Sequence, residues 1–439
     1  MIVILLSGGS GKRLWPLSND IRSKQFIKIF KNNENYESMV QRMYRQIKTA
    51  DIDADVTIAT SKTQVSAIRN QLGEKVEICV EPCRRDTFPA IILASAFLAD
   101  IREISREETV VVCPVDPYVE NDYFETIKEL SVLAKTEKAN LALMGIEPTY
   151  PSEKYGYIIP NGKYKIAAVS TFKEKPCITE AEEYIKQGAL WNGGVFAYKL
   201  QYVLDKANEI VGYSDYDTLL ANYSTLPKIS FDYAVVEKER KIQVMRFSGM
   251  WEDIGTWNTL TQAMDKVSIG NARQDGACMN VNILNELDIP IIALGVQDMV
   301  IAASPGGVLV SDKKQSTKIK AFLEDENLDI RFAEKSWGDY KVIDVEDDSL
   351  TIKTTIKAGH SMNYHSHERR DEVWTVISGV GRTIVDGMEQ PIKTGDVITM
   401  QAGCRHTVIA DTELKLIEVQ LGKEISVSDK QKYDLEDEK

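Results

Sequence analysis

The first residues able to do chemistry are a glycine turn and the cations that follow it. Ser7-Gly8-Gly9-Ser10-Gly11 ends the apolar run Ile2 to Leu6, Lys12 and Arg13 come next, and Lys24 lies about one loop further on. Glycines let the chain turn sharply and bring backbone N–H groups close to a ligand. Backbone donors beside fixed cations make a cradle for phosphate oxygens, each charge-assisted hydrogen bond contributing roughly 1.5–3 kcal/mol. Spacing excludes a Walker loop, whose first glycine would fall at Leu6 and whose Ser/Thr would fall at Arg13. It also excludes the dinucleotide fingerprint, because Leu14 stands where the third glycine belongs.

Two further sets suit metals. Asp116 ends the apolar segment VVVCPVD, at the carboxyl edge of an expected strand, where an ion bridging two phosphates would be held. One strand-end Asp is commonly a turn former, so it needs a partner, and Asp253 in Trp251-Glu252-Asp253-Ile254-Gly255 is the candidate. The second set is histidine-rich. His360, His365, His367 and His406 are the chain's four histidines, and all lie after Glu334. Gly359, His365, His367, Glu372 and Gly379 follow the spacing G-x5-H-x-H-x4-E-x6-G, and Gly395, Gly403 and His406 follow G-x7-G-x2-H. Residues two apart on a strand share a face, so His365 and His367 point the same way. Three imidazoles and a carboxylate suit a divalent transition metal with open positions.

The elements that must carry these groups are readable in outline. Val56–Thr60, Thr109–Val115 and Ala142–Ile146 read as buried strands. Phe88–Ile101, Tyr123–Thr136 and Ala181–Gln187 read as helices between them. Such alternation over residues 1–265 implies a mostly parallel sheet flanked by helices, with ligands at the carboxyl ends of its strands. Residues 266–330 break into short apolar pieces between Gly, Pro, Asp and Asn turns, which reads as an all-β linker and homodimer surface. A third domain is expected over 331–427, and 428–439 as a frayed acidic tail.

Composition narrows the partners. The formal charge of −13 argues against nucleic acid or an anionic membrane as a partner. No apolar run reaches about 18 residues, so no transmembrane helix is expected, and the opening run is too short for a signal peptide. Six scattered cysteines without a CxxC pair suit reduced thiols in the cytoplasm, each as a small packing residue.

GGSGKRLWPLS followed by KQF resembles the signature of the sugar-1-phosphate nucleotidyltransferases, specifically the mannose-1-phosphate guanylyltransferases. Lys12 stands where that family has Thr, and Ser23 where it has Pro. The resemblance runs on through EPCRRDTFPA, with Asp86 for the usual Asn. It continues through Tyr155-Gly156-Tyr157, Glu174-Lys175-Pro176, Trp191-Asn192-Gly193-Gly194 and Phe231-Asp232-Tyr233-Ala234. It implies a Rossmann-like α/β nucleotidyltransferase domain, a short β-helical connector and a C-terminal cupin, the double-stranded β-helix barrel whose signature the histidine spacing matches. Gln401 stands where the second cupin block usually has Pro.

The site roles it implies are specific. Leu6, Ser7, Gly8, Gly9, Ser10, Gly11, Lys12, Glu81, Arg85 and Asp86 would bind the nucleotide. Gly156, Glu174, Lys175 and Asn192 would bind the sugar phosphate. Asp116 and Asp253 would share Mg²⁺, with Pro117 where the family has His after the first of them. Arg13 and Lys24 would stabilise developing charge. In the barrel, His365, His367, Glu372 and His406 would hold Zn, Fe, Mn or Ni.

The implied reaction joins a nucleoside triphosphate, expected to be GTP, to mannose 1-phosphate and releases pyrophosphate. Another base or sugar is an alternative. So is a second, isomerase activity in the cupin, since Ser336-Trp337-Gly338-Asp339-Tyr340, Arg370 with Glu372 and Trp374, and Ile417-Glu418-Val419-Gln420 resemble bifunctional phosphomannose isomerases. That family has Gln where His365 stands and an Arg-bearing tail where this chain reads DKQKYDLEDEK. A sugar-nucleotide sensor without turnover ranks last, because Arg13, Lys24, Asp116, Lys175 and Asp253 are all present.

Overall fold

The computed structural model describes residues 1–9, 12–19, 21–51, 53–136, 138–323, 329–425 and 429–434, without the Lys12 side chain. Ser10 and Gly11 lie outside the described residues. The chain divides into two compact units. The first takes residues 1–11, 23–65 and 75–265, and the second takes Lys12–Arg22, Ser66–Glu74 and everything from Lys266 onward.

The first unit is built on a nine-stranded sheet. Its order is Glu77–Glu81, Asp55–Ser61, Ile2–Ser7, Thr109–Pro114, Leu190–Lys199, Leu141–Ile146, Ile242–Phe247, Ile166–Lys173 and Tyr157–Pro160. Leu190–Lys199 and Ile166–Lys173 run against the others, so the sheet is mostly parallel by strand direction. The central strands are apolar on both faces, as in IVILLS, TVVVCP and LALMGI, because helices cover both sides. The helix Thr87–Ala96 is buried nearly throughout and continues into a π-turn at Phe97–Ile101. Asn121–Ala134 and Ile178–Lys186 match the other two expected helices.

In the second unit, the connector is a β-helix-like stack. Ser268–Ile269, Asn282–Asn285 and Met299–Ser304 pair in parallel, with Gly307–Asp312 closing the sheet antiparallel. Val281, Ile283, Ala293 and Ile301 fill its interior. The segment Lys12–Arg22 is fastened here: Arg22 makes a two-point ion pair with Glu286 at 2.8 and 2.9 Å, and Ser304 Oγ donates to the Pro16 carbonyl at 2.7 Å. The barrel has a six-stranded and a five-stranded sheet around Trp374, Val376, Ile398, Met400, Val408 and Leu416.

The tail does not begin where the charge run suggests. Lys430–Lys432 forms a strand antiparallel to His365–His367, so the start of the expected frayed segment belongs to the barrel wall. Specific partners hold the strand: Tyr433 N–H donates to the Tyr364 carbonyl at 2.9 Å, and Gln431 donates to Glu368 at 2.9 Å. Residues 435–439 lie outside the described residues.

The cysteines are all free. Cys79 and Cys113 are buried as small packing residues, whereas Cys177 is exposed just before the helix Ile178–Lys186 and does not pack.

Candidate functional site

The glycine turn is anchored from outside the motif. Ser23 Oγ, Gln64 Nε2 and Arg84 all donate to the Gly9 carbonyl, at 2.9, 3.1 and 3.3 Å. Gln64 also donates to Ser23 Oγ at 2.7 Å, and its own side-chain oxygen accepts from Thr60 and Gln25. Ser23 therefore does what a proline in its place could not: it donates a hydroxyl hydrogen to the loop. Gln64 was not singled out by the sequence, because it lies in no recognisable spacing, and in EPCRRDTFPA the resemblance assigns a role to Arg85, not Arg84. Gly8 and Gly9 have open space where a side chain would go, and Gly9 has φ of +112°, a conformation glycine adopts without strain. Arg13 is exposed on the turn Lys12–Leu14.

Within the first unit, the two expected metal carboxylates are brought together. Pro117–Val119 pairs antiparallel with Trp251–Asp253, and the register sets Asp253 opposite Pro117, next to Asp116. Pro117 sits at the first position of its strand, where a missing N–H is tolerated. Lys24 Nζ lies 2.9 Å from Asp116 and 3.8 Å from Asp253, and donates to the Ile254 carbonyl at 3.0 Å. Burial would raise the Asp116 pKa, but the Lys24 charge and hydrogen bond outweigh it and hold the carboxyl below its ordinary value.

A second group lines the neighbouring strand ends. A Cβ on Gly156 would meet Glu174 Oε2 at 2.5 Å, so only glycine leaves that carboxylate room. Glu174 is buried, Oε2 has no hydrogen-bond partner, and Lys175 pairs with Oε1 at 2.8 Å. Lys175 has φ of +46°, a strained conformation for a side-chain-bearing residue. Asn192 donates to Asp232 at 2.7 Å, which brings in an acid the sequence had only placed in a motif. Burial and the Glu174 charge push the Asp232 carboxyl up to about 7. Along one side, Trp191 is the centre of an aromatic wall, with Tyr155 at 4.8 Å, Tyr150 at 4.9 Å and Trp251 at 6.3 Å between ring centroids.

The segment EPCRRDTFPA behaves more locally. Glu81 is buried and accepts from Tyr223 OH at 2.8 Å, with its pKa raised by burial. Asp86, at φ of +69°, caps the helix Thr87–Ala96. Arg84, rather than Arg85, reaches the glycine turn.

In the barrel, His365, His367, His406 and Glu372 converge, each about 2% exposed. Nδ1 of each imidazole donates to a backbone carbonyl: His365 to Asn363, His367 to Asp429 and His406 to Cys404. A carbonyl can only accept, so the proton is on Nδ1 and the Nε2 lone pairs face inward. The three ring groups lie close enough to share one ion, with ligand atoms within 4.8 Å of one another. Glu372 oxygens stand 3.2 Å from His367 Nε2 and 3.3 Å from His406 Nε2. His406 Nε2 is buried with no hydrogen-bond partner. Lone pairs facing carboxylate oxygens repel unless a cation lies among them, so the donor set fits a metal ion. Arg370 supplies part of that positive charge, donating to His367 Nε2 at 3.0 Å and to Glu372 at 3.1 Å. Burial holds His365 down to about 2 and His367 to about 4, so both rings stay neutral. Burial and the charge of Glu372 push the nearby Glu418 carboxyl up to about 7. His360 is not part of the cluster; its ring hydrogen-bonds to Ala358 at the surface.

A glycine turn after the first strand, two acids at strand ends and a mixed α/β sheet define a nucleotidyltransferase architecture, joined here to a histidine-lined barrel. The chain belongs to the nucleotidyl transferase family, whose model matches residues 2–269, and a cupin domain model matches residues 352–420. It is 28% identical to mannose-1-phosphate guanylyltransferase RfbM of Salmonella typhimurium, over 97% of this chain and 95% of that one. It is 26% identical to mannose-1-phosphate guanylyltransferase of Escherichia coli K12, over 97% and 96%. A solved structure described as mannose-1-phosphate geranyltransferase from Thermus thermophilus is 27% identical. It superposes with a TM-score of 0.62 over 74% of this chain and 98% of that one. Among the described residues, no helix is long and apolar enough to cross a membrane.

Proposed function

We propose that this chain transfers GMP from GTP to mannose 1-phosphate, giving GDP-mannose and pyrophosphate. The observation that carries this is the Lys24–Asp116–Asp253 cluster, with Gly156, Glu174, Lys175 and Asn192 grouped at neighbouring strand ends. Relatives named for this activity align along nearly their full length. A phosphate oxygen of the sugar attacks the α-phosphorus in line, forming the new P–O bond. The bond from that phosphorus to the β-phosphate oxygen breaks, and pyrophosphate leaves with the electron pair. No covalent intermediate is needed, because positioning and charge stabilisation do the work.

Asp116 and Asp253 would hold Mg²⁺, and the Lys24 ammonium already near both supports a cation at that position. Bound Mg²⁺ would supply charge neutralisation at the phosphates. Lys24 and Arg13 stabilise charge developing on the leaving phosphates. The turn from Leu6 to Lys12 cradles the triphosphate, and Arg85 and Asp86 serve the base. Glu174 and Asn192 accept from and donate to sugar hydroxyls, and Lys175 meets the sugar phosphate. His365, His367, His406 and Glu372 would hold a divalent transition metal, Zn, Fe, Mn or Ni, as a Lewis-acid centre in the barrel.

The test is pyrophosphate release with Mg²⁺ over a grid of nucleoside triphosphates and sugar 1-phosphates. Turnover confined to GTP with mannose 1-phosphate is expected. A different winning pair would overturn the substrate, and silence throughout would overturn the activity.

A further inference from the structure

Among the described residues, His367 is the one barrel histidine whose ring nitrogen Nδ1 is held by a residue far away in sequence. His365 and His406 donate Nδ1–H to carbonyls two residues back, Asn363 and Cys404, so the backbone just before each strand orients them. His367 Nδ1 instead donates 3.2 Å to the carbonyl of Asp429, on the segment leading into the C-terminal strand. Asp429 is itself fixed. Its carboxylate is buried and accepts the backbone N–H of Glu368 at 3.2 Å and of Arg369 at 3.1 Å, immediately after His367. The strand then runs on in register, His367 opposite Lys430 and His365 opposite Lys432, which sets both lysines on the histidine face. Ser366 and Tyr433 hydroxyls meet at 3.1 Å on the other face, where Arg405 lies 4.2 Å over the Tyr433 ring.

The two departures from the isomerase pattern noted in the sequence, His365 and the DKQKYDLEDEK tail, are therefore hydrogen-bonded neighbours in one strand pair. A metal-binding imidazole needs its second nitrogen held, because that bond selects the tautomer and aims the ring. We propose that the C-terminal strand is a working part of the barrel's metal centre, with Asp429 the positioning residue that aims His367 at the metal. This rests on the reading of the histidine cluster as a metal site and is independent of the transferase reading.

The test is Co²⁺ binding to the full chain, followed by equilibrium dialysis with elemental analysis and by the visible absorption of the bound ion. His406→Ala gives the baseline without the barrel site. Asp429→Ala removes the carboxylate that ties the strand to residues 368 and 369. The expected result is a loss of Co²⁺ affinity of about 10–100-fold and an altered spectrum. Asp429→Asn keeps one acceptor oxygen, and most of the affinity should return. Melting temperature, measured in parallel, separates a lost anchor from a lost fold: a purely structural role predicts a lower melting temperature with an unchanged Co²⁺ spectrum. That result, or wild-type affinity in Asp429→Ala, would overturn the proposal. Binding no stronger in the wild-type chain than in His406→Ala would overturn the metal site beneath it.

Discussion

Lys24 stands 2.9 Å from the Asp116 carboxylate and 3.8 Å from that of Asp253, so one ammonium serves two acids more than a hundred residues apart. The arrangement exists because Pro117–Val119 and Trp251–Asp253 form a short ribbon at the strand ends. Asp253→Asn halves the anionic charge there while keeping the shape. The expected outcome is a fall in kcat of roughly 10²–10³-fold or more, not rescued by excess Mg²⁺, read as pyrophosphate release. A variant within threefold of wild type would remove these acids from the mechanism.

Gln64 binds the Gly9 carbonyl, Ser23, Thr60 and Gln25 while fully buried. Gln64→Ala removes one hydrogen bond from each of these partners, which keep their others, at a cost of about 1–3 kcal/mol in stability. It also loosens the turn that holds the triphosphate. The KM for GTP should rise several-fold while the KM for the sugar phosphate stays put. Equal rises in both would mean a general loss of structure.

Tyr150 is half exposed and packs edge-on against Trp191, one residue from Asn192. The wall it completes offers an apolar face of the kind that meets sugar C–H groups. Tyr150→Ala should raise the KM for mannose 1-phosphate several-fold with the KM for GTP unchanged, and Tyr150→Phe should behave as wild type. Steady-state kinetics with each substrate varied in turn decides the matter.

How far the sequence reached depends on the range of the interaction. The apolar strands and the helices Asn121–Ala134 and Ile178–Lys186 were legible because periodicity is local. His365 and His367 were legible because the strand pitch puts them on one face, and Glu372 and His406, on other strands, because they fall at the fixed spacing of the barrel signature. What was not legible came from pairings between distant segments with no spacing of their own: Gln64 and Arg84 on Gly9, Asn192 on Asp232, and Asp429 on His367. The tail misled for a related reason. Its charge pattern reads as solvated, yet three of its residues pair with the histidine strand and their backbone bonds outweigh their composition.

Asp232 gives a prediction about pH. Its carboxyl rises from the ordinary 3.8 to about 7, through burial and then the charge of Glu174. A raised carboxyl pKa means the folded chain holds a proton that the unfolded chain has already lost. Between about pH 4 and 7 the folded state is thus favoured as pH falls, and it is penalised above pH 7, by about 1–3 kcal/mol with Asp232 keeping some contact with solvent. Asp232→Asn cannot ionise, so it should melt higher than wild type at pH 8 and lose that advantage near pH 4. Thermal unfolding of both proteins across pH 4–8 checks the sign. Parallel curves, with a constant gap between the two proteins, would show that Asp232 does not titrate in this range. The same substitution keeps a hydrogen-bonding group beside Asn192 but removes the second acid near Glu174. The KM for mannose 1-phosphate should therefore change near pH 7 in the wild type and not in the variant, which ties the stability effect to the sugar site rather than to a distant group.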